Sequence, residues 1–294
     1  MPKICIYART PLAAAPWELY KCLKKYTTLN VCLVNKRFRY ADGRSFPHQH
    51  ILTPNNRDVL DIMKGADLWH VHNYWDRELD RLRGNKKVLA QFHSLPRQLN
   101  WAELMANADI CYTIKQPLHE REYKLPGLPN LIDPDEYRPV LRPNKPIRIA
   151  FAPSSKAPIG SFQSKGYYEV ETVLKKVKEL RPVEITWIEG KSYETNLEMK
   201  SRAHILIDDV VTGNWHRTSL EGCCFGCAVL NKREHVPFVY ADLSILEERL
   251  LWLIDNPPIL KDFQERARLW VLQNWHPIEG VQVYLDVYRR LLNG

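Results

Sequence analysis

Short apolar runs separated by amphipathic stretches recur along the whole chain, and no other feature of the sequence restricts its fold so sharply. In the first half the runs are Lys3–Tyr7, Asn30–Val34, Leu68–Val71, Lys87–Phe92 and Ile110–Thr113, with helical stretches such as Trp17–Lys25 and Arg57–Lys64 between them. A strand covered on both faces reads as a continuous apolar run, and a crossover helix shows one apolar stripe. The alternation therefore predicts parallel sheets with helices packed on them. Pro139–Pro146 (PVLRPNKP) carries three prolines and reads as a linker. Beyond it the alternation restarts, with strands at Ile147–Phe151, Glu184–Ile188, His204–Ile207 and Ala228–Leu230. The accompanying helices are Tyr168–Leu180, Leu197–Ala203, Ser219–Phe225, Leu243–Asp255 and Ile259–Trp275. Pro277 interrupts the pattern before a last amphipathic segment, Gly280–Leu292. The expectation is an α/β protein with Rossmann-like domains over 1–140 and 141–276, and a C-terminal helix over 277–294 packing back on the first domain.

A chain of 294 residues is long enough for two such cores. No stretch approaches the roughly 18 apolar residues of a membrane span, and MPKICIYART lacks the layout of a signal peptide. Seven cysteines, an odd number set mostly in apolar runs, suit reduced thiols, so a cytoplasmic location is expected. The formal charge of +8 is uneven. Residues 1–140 hold 21 Lys and Arg against 15 Asp and Glu, a balance of +6, and the remainder 21 against 19. A basic first half points to an anionic partner, such as nucleic acid, a phosphorylated acceptor or a peripheral anionic membrane; a merely soluble basic surface has the same composition.

In doubly wound sheets, ligands bind at the carboxyl ends of the strands. That rule selects the loops Ala8–Pro16, Asn35–Arg44, His70–Trp75, His93–Arg97, Ala152–Gly166, Glu189–Lys191 and Asp208–Ser219. The first of these reads ARTPLAAAP and has no glycine, which argues against a nicotinamide-type dinucleotide loop; a Walker phosphate loop is also missing. PSSKAPIGSFQSKG is better suited to phosphate. It offers Ser154, Ser155, Ser161, Ser164, Lys156 and Lys165, with Gly166 at a helix start. An ordinary polar loop has the same make-up. Further on, Gly213, His216, Arg217, Thr218 and Ser219 precede or open a helix whose positive end suits a phosphate. Glu221 in its first turn suits the dipole or a ribose diol, and Thr218 or Ser219 with Glu221 also reads as helix capping.

Taken together, five segments resemble glycosyltransferase family 4, a group of GT-B enzymes. ADLWHVHNYW (66–75) is similar to a first-domain strand ending in His-x-His-Asn, and VLAQFHSLPR (88–97) to the strand whose last histidine meets the donor sugar. LPNLIDPDEYRP (128–139) resembles the segment closing the first domain, SKG (164–166) the diphosphate loop, and SLEGCCFGCAVL (219–230) the element whose glutamate reaches ribose. The resemblance implies two Rossmann-like domains facing each other across a cleft. It also implies retaining hexosyl transfer from a UDP or GDP sugar, with neither cofactor nor metal. By the same resemblance His93 contacts the donor sugar and Lys165 neutralises the diphosphate. Glu221 holds ribose and Ser219 holds a phosphate. From the two loops read above, Ser154, Ser155, Lys156, Gly166, Gly213, His216 and Thr218 are the further donor-site candidates.

The chain departs from the family pattern. Gly213 stands where a glutamate usually lies eight residues before Glu221, Lys156 is left to replace an arginine, and Ala13-Ala14-Ala15 replaces a glycine-rich loop. A nucleotide-sugar binding module without catalysis and a GT-B-fold epimerase are therefore kept as alternatives. Asp133-Pro134-Asp135 has the form of a metal motif but sits between domains, and Cys224-x-x-Cys227 lacks a second ligand pair, so no metal is expected. His70 and His72 are expected on opposite faces, with His72 toward the cleft. Acceptor candidates are Arg9, Lys36, Arg37, Arg39, His72, Tyr74 and Trp75, a mixture of cations and aromatics suited to phosphates, bases or sugars. A hydroxymethylated DNA base flipped from its duplex is one acceptor, and a lipid-linked or surface glycan the other.

Overall fold

The computed structural model describes residues 1–153, 155–160, 165–215, 217–235 and 237–294. The chain begins β1 (Lys3–Ala8), α1 (Ala15–Tyr26), β2 (Asn30–Asn35), β3 (His50–Ile51), α2 (Arg57–Lys64), β4 (Leu68–His72) and α3 (Arg77–Leu82). It continues through β5 (Lys87–Phe92), α4 (Trp101–Ala106), β6 (Ile110–Ile114), α5 (Pro117–Tyr123) and β7 (Gly127–Leu128). These strands form a parallel sheet in the order β3-β2-β1-β4-β5-β6-β7. Then come β8 (Ile147–Phe151), α6 (Tyr167–Leu180), β9 (Val183–Trp187), α7 (Tyr193–Ser201), β10 (Ile205–Ile207), α8 (Arg217–Cys224), β11 (Ala228–Asn231) and β12 (Val239–Tyr240). They form a second parallel sheet, β12-β11-β10-β8-β9. The helices α9 (Leu246–Asp255), α10 (Pro257–Asn274) and α11 (Pro277–Asn293) complete the chain. Among the described residues no helix is long and apolar enough to cross a membrane.

Contacts divide the chain into two units, Met1–Asp133 with Pro277–Gly294, and Pro134–His276. In the first, the two-residue period of the strands distributes side chains between two cores. Ile4, Ile6, Leu33, Leu68 and Leu89 pack with Leu19 and Leu23 of α1 and with Val281, Tyr284 and Tyr288 of α11. Cys5, Tyr7, Val34, Trp69, Val71 and Val88 point the other way, against Val59, Met63, Leu79 and Leu104. The second unit builds its core from Ile149, Phe151, Ile205, Ile207 and Leu230 with Val170, Leu174, Leu246 and Leu250. Residues 134–146 carry no regular structure, yet Arg142 is bound to the carbonyls of Ser201 (3.0 Å), Gly226 (2.8 Å) and Phe225. The proline-rich segment is thus pinned to the second unit.

The face assignment of His70 and His72 needs correction. Their rings stack, with centroids 4.3 Å apart and planes at 27°. Residues two apart on a strand share a face, and both rings lie on the α11 side of β4, the side of Leu68.

Candidate active site

In the second unit, charged side chains converge beyond the carboxyl ends of β8, β10 and β11. Gly166 caps α6 with φ of +72°, and Lys165 beside it is 4% exposed. Its ammonium pairs with Asp208, the first residue after β10, whose other carboxylate oxygen accepts the Ser219 hydroxyl of α8 at 2.5 Å. Asn231, at the end of β11, reaches the Asn214 carbonyl at 3.0 Å and Ser219 Oγ at 3.5 Å. Asp209 folds the loop between β10 and α8 by accepting the main-chain N–H groups of Val211 (3.0 Å) and Thr212 (2.7 Å) and the Thr212 hydroxyl. Gly213 in that loop has φ of +74°, and a Cβ there would lie 2.5 Å from the Lys232 carbonyl oxygen. The backbone therefore leaves no room for the glutamate that the family resemblance expects at 213.

One turn into α8, Glu221 is 3% exposed and held between two cations. Lys200 meets one oxygen at 2.6 Å and Arg217 the other at 3.4 Å. Lys200 also approaches the Thr218 hydroxyl at 3.4 Å, while Arg217 donates to Tyr193 Oη at 3.3 Å. A buried carboxylate needs such compensation, because an unpaired charge in the interior costs several kcal/mol. Lys156 is exposed and paired with Glu189 at 3.0 Å, with its ammonium 5.2 Å from the Tyr167 ring centre. Ser155 lies in the described part of the same loop; Ser154, Ser161, Ser164 and His216 lie outside the described residues.

In the first unit, a cavity of about 750 Å³ opens at the carboxyl ends of β1 and β2, and Arg9, Lys36, Arg37, Arg77 and Arg81 line it. Asp76, also in its wall, gathers three donors. Arg9 grips it with both fork nitrogens (2.9 and 3.1 Å), Tyr7 donates at 2.5 Å and Lys36 at 3.2 Å. Burial alone would raise the Asp76 carboxyl; Arg9, Tyr7 and Lys36 outweigh it and hold the group below the usual range. Lys36 also pairs with Glu78 at 2.9 Å. Arg37, Arg77 and Arg81 make no ion pair among the described residues, so their charges are available to an anion. Trp75 is 2% exposed and donates to Asp80 at 2.7 Å, which makes it wall rather than stacking platform. Tyr74 lies under Arg9, with 4.5 Å between guanidinium and ring centre. Arg39 stands on a separate short hairpin, bridged to Ser45, and does not line the cavity.

Between these strands and α11, His72 Nδ1 lies 2.8 Å from His93 Nε2, and His70 Nδ1 lies 2.9 Å from Tyr288 Oη. His72 is 1% exposed and lies behind His93 with almost no surface for an acceptor. Burial pushes both buried histidines down, His70 to about 3 and His72 well below its ordinary value, so they are neutral. Asp133 is occupied by Lys25 and by the Tyr26 hydroxyl at 2.9 Å. The loop after β1 keeps a glycine-like course without glycine: Leu12, Ala13 and Ala14 all have positive φ (+48°, +51°, +66°).

Of the expected donor residues, the structure brings Lys165, Gly166, Gly213, Thr218, Ser219 and Glu221 together at the carboxyl edge of the second sheet. Of the expected acceptor residues, Arg9, Lys36, Arg37 and Trp75 line one cavity. Sequence reasoning passed over Asp208 and Lys200, the counter-ions of Lys165 and Glu221, and over Asp76, Arg77 and Arg81. Asp208 carried a signal, since it opens a loop at the end of an apolar run. Lys200 and the α3 arginines carried none, because mixed-charge helices expose such residues everywhere.

No protein-family profile matches the chain, and no curated protein matches it by sequence. Solved structures do match. An alpha-glucosyltransferase in complex with UDP and a 13-mer DNA containing a central A:G mismatch superposes with a TM-score of 0.72 at 12% identity, covering 98% of this chain and 99% of its own. An alpha-glucosyltransferase in complex with UDP and a 13-mer DNA containing an HMU base gives 0.68 at 13% identity, with 99% of each chain covered. Anabaena HepE in complex with UDP and glucose gives 0.68 at 10% identity, covering 99% of this chain and all of the other. At such identities the likeness defines the fold alone. It is the GT-B fold, two Rossmann-like units in one chain.

Proposed function

We propose that this chain is a glycosyltransferase that moves a hexose from a UDP or GDP sugar to an acceptor hydroxyl, with retention and without a metal ion. The observation that carries the reading is the cluster of Lys165, Ser219, Arg217 and Glu221 at the carboxyl edge of the second sheet, in a chain whose fold is shared with proteins solved in complex with UDP. As the glycosidic bond breaks, negative charge collects on the leaving diphosphate. Lys165 and the N-terminal end of α8 supply fixed positive charge there. An ammonium has three protons, so Lys165 can keep Asp208 and still donate to phosphate. A carboxylate accepts at about four lone-pair sites, which leaves Glu221 able to take a ribose hydroxyl beside its two cations. His93 meets the donor sugar.

For the acceptor we favour a hydroxymethylated base flipped out of duplex DNA. The first unit presents Arg37, Arg77 and Arg81 around one cavity, without ion pairs among the described residues, a charge set suited to backbone phosphates, and two structures of similar fold contain DNA. The test is incubation of the full chain with UDP, GDP and ADP sugars, in EDTA, with hydroxymethylated and unmodified duplex. Labelled sugar is expected on the hydroxymethylated DNA only, and DNA affinity should fall steeply with salt and fall less steeply in Arg37→Ala/Arg81→Ala. Epimerised donor would replace the transferase with an epimerase, and saturable donor binding without turnover would reduce it to a binding module. Absence of DNA binding at low salt, with the chain pelleting on anionic vesicles instead, would move the acceptor to a lipid-linked or surface glycan.

A further inference from the structure

His93 is held from two sides by consecutive residues at the end of β4. Asn73 accepts the His93 main-chain N–H at 2.6 Å through its side-chain oxygen, and its amide donates to Ser94 Oγ at 3.0 Å. To do so Asn73 sits fully buried at φ +61°, a left-handed conformation that asparagine tolerates better than most residues. Its own N–H donates to the Gln91 carbonyl at 3.0 Å, which ties the turn to β5. From below, His72 Nδ1 faces His93 Nε2 at 2.8 Å, with the His72 ring stacked on His70.

The direction of that histidine–histidine bond follows from burial. His72 is neutral, and a neutral imidazole carries one N–H. Its Nε2 is buried with no partner among the described residues. With the proton on Nε2, a buried donor would have nothing to receive it, an arrangement folded proteins rarely keep. With the proton on Nδ1, it lies in the bond to His93. We propose that His72 donates from Nδ1 to His93 Nε2, so that His93 presents its other nitrogen, Nδ1, as an N–H donor, and that His72 and Asn73 are positioning residues for this group. This rests on the reading above in which His93 meets the donor sugar. A His93 fixed in this tautomer offers a hydrogen to a sugar or leaving-group oxygen and cannot accept one from a hydroxyl at that nitrogen.

Nitrogen-15 NMR of the histidines in the full-length chain, without donor, tests the tautomer directly, because protonated and bare ring nitrogens resonate far apart. The expected spectrum has His93 protonated at Nδ1 and bare at Nε2, with a mixture of tautomers in His72→Phe. Protonated Nε2 on His93 in the wild-type chain overturns the inference. Kinetics test the positioning. Asn73→Gly keeps the left-handed turn and removes only the clamp, and it should lower kcat roughly tenfold or more while the donor KM moves less than about twofold. His72→Gln, which retains an amide donor, should recover part of what His72→Phe loses. Wild-type kcat in both Asn73→Gly and His72→Phe refutes the positioning role. If His72→Phe does not fold, the wild-type spectrum and Asn73→Gly decide. A wild-type chain with the expected tautomer but no turnover of any nucleotide sugar would remove the transferase reading and leave the tautomer in place.

Discussion

Two neutral histidines inside the first unit make its stability depend on pH in a way that can be worked out beforehand. In an unfolded chain a histidine titrates near 6.5. In the folded unit burial pushes His70 to about 3 and His72 well below its ordinary value. Both shifts are downward, so below pH 6.5 the unfolded chain takes up protons that the folded chain refuses, and stability is lost as pH falls. Between pH 7.5 and 5.5 the linkage is about 1.4 kcal/mol for each such histidine, hence about 3 kcal/mol for the pair. That is a large part of the 5–15 kcal/mol typical of a domain. Carboxylates held low, such as Asp76, titrate below this interval and contribute little to it. Hydrogen exchange at core amides of β1 and β4, corrected for intrinsic rates, reads this unit without mixing in the other. The wild-type chain should lose at least about 3 kcal/mol of protection over the interval, and His70→Gln about 1.4 kcal/mol less. His50, also lowered by burial in this unit, acts equally in both proteins and cancels in the difference. Equal protection at the two pH values, or an unchanged loss in His70→Gln, would refute the reasoning.

Two further outcomes concern the backbone. Gly213→Ala combines a left-handed φ with a Cβ 2.5 Å from the Lys232 carbonyl, and thermal melting should show a loss of about 2 kcal/mol or more; an unchanged melting temperature would mean that the loop relaxes freely. Gly213→Glu should fare no better, and it should not raise turnover. Ala14→Gly relieves a left-handed alanine at φ +66° and should stabilise by about 0.5–1 kcal/mol net of the added chain entropy, so a lower melting temperature would argue against strain there.

Much of the element order could be read along the chain. Lys87–Phe92, Ile147–Phe151 and Arg57–Lys64 have in the structure the bounds their apolar patterns indicate. Strands of two residues, β3, β7 and β12, could not be read, since so short a segment has no period. They exist because the edge of a neighbouring strand offers them hydrogen bonds, as β2 offers β3 the register Val34 to His50. The stacking of His70 on His72 runs against the expectation of opposite faces, yet it is legible in the sequence, because strand periodicity puts residues two apart on one face. Arg142 shows a different limit. Its composition says linker, yet carbonyls at 201, 225 and 226 tie it to the second unit.

The candidate site divides in the same way. Lys165, Ser219, Glu221 and His93 are candidates in the sequence because each stands at a strand end or helix start, marked by a few consecutive residues. Their partners in the fold are not written there. Lys165 meets Asp208 across 43 positions, and Lys200 meets Glu221, like His72 His93, across 21. Protonation and pairing depend on burial, because removing water raises the cost of an unpaired charge and strengthens the attraction of a paired one. Sequence alone therefore determined most of the longer strands and helices and the residues that stand near their ends. The tertiary structure decided which charges are paired, which histidine nitrogens face each other, and which arginines remain for an anion, since only folding removes the water that makes those choices matter.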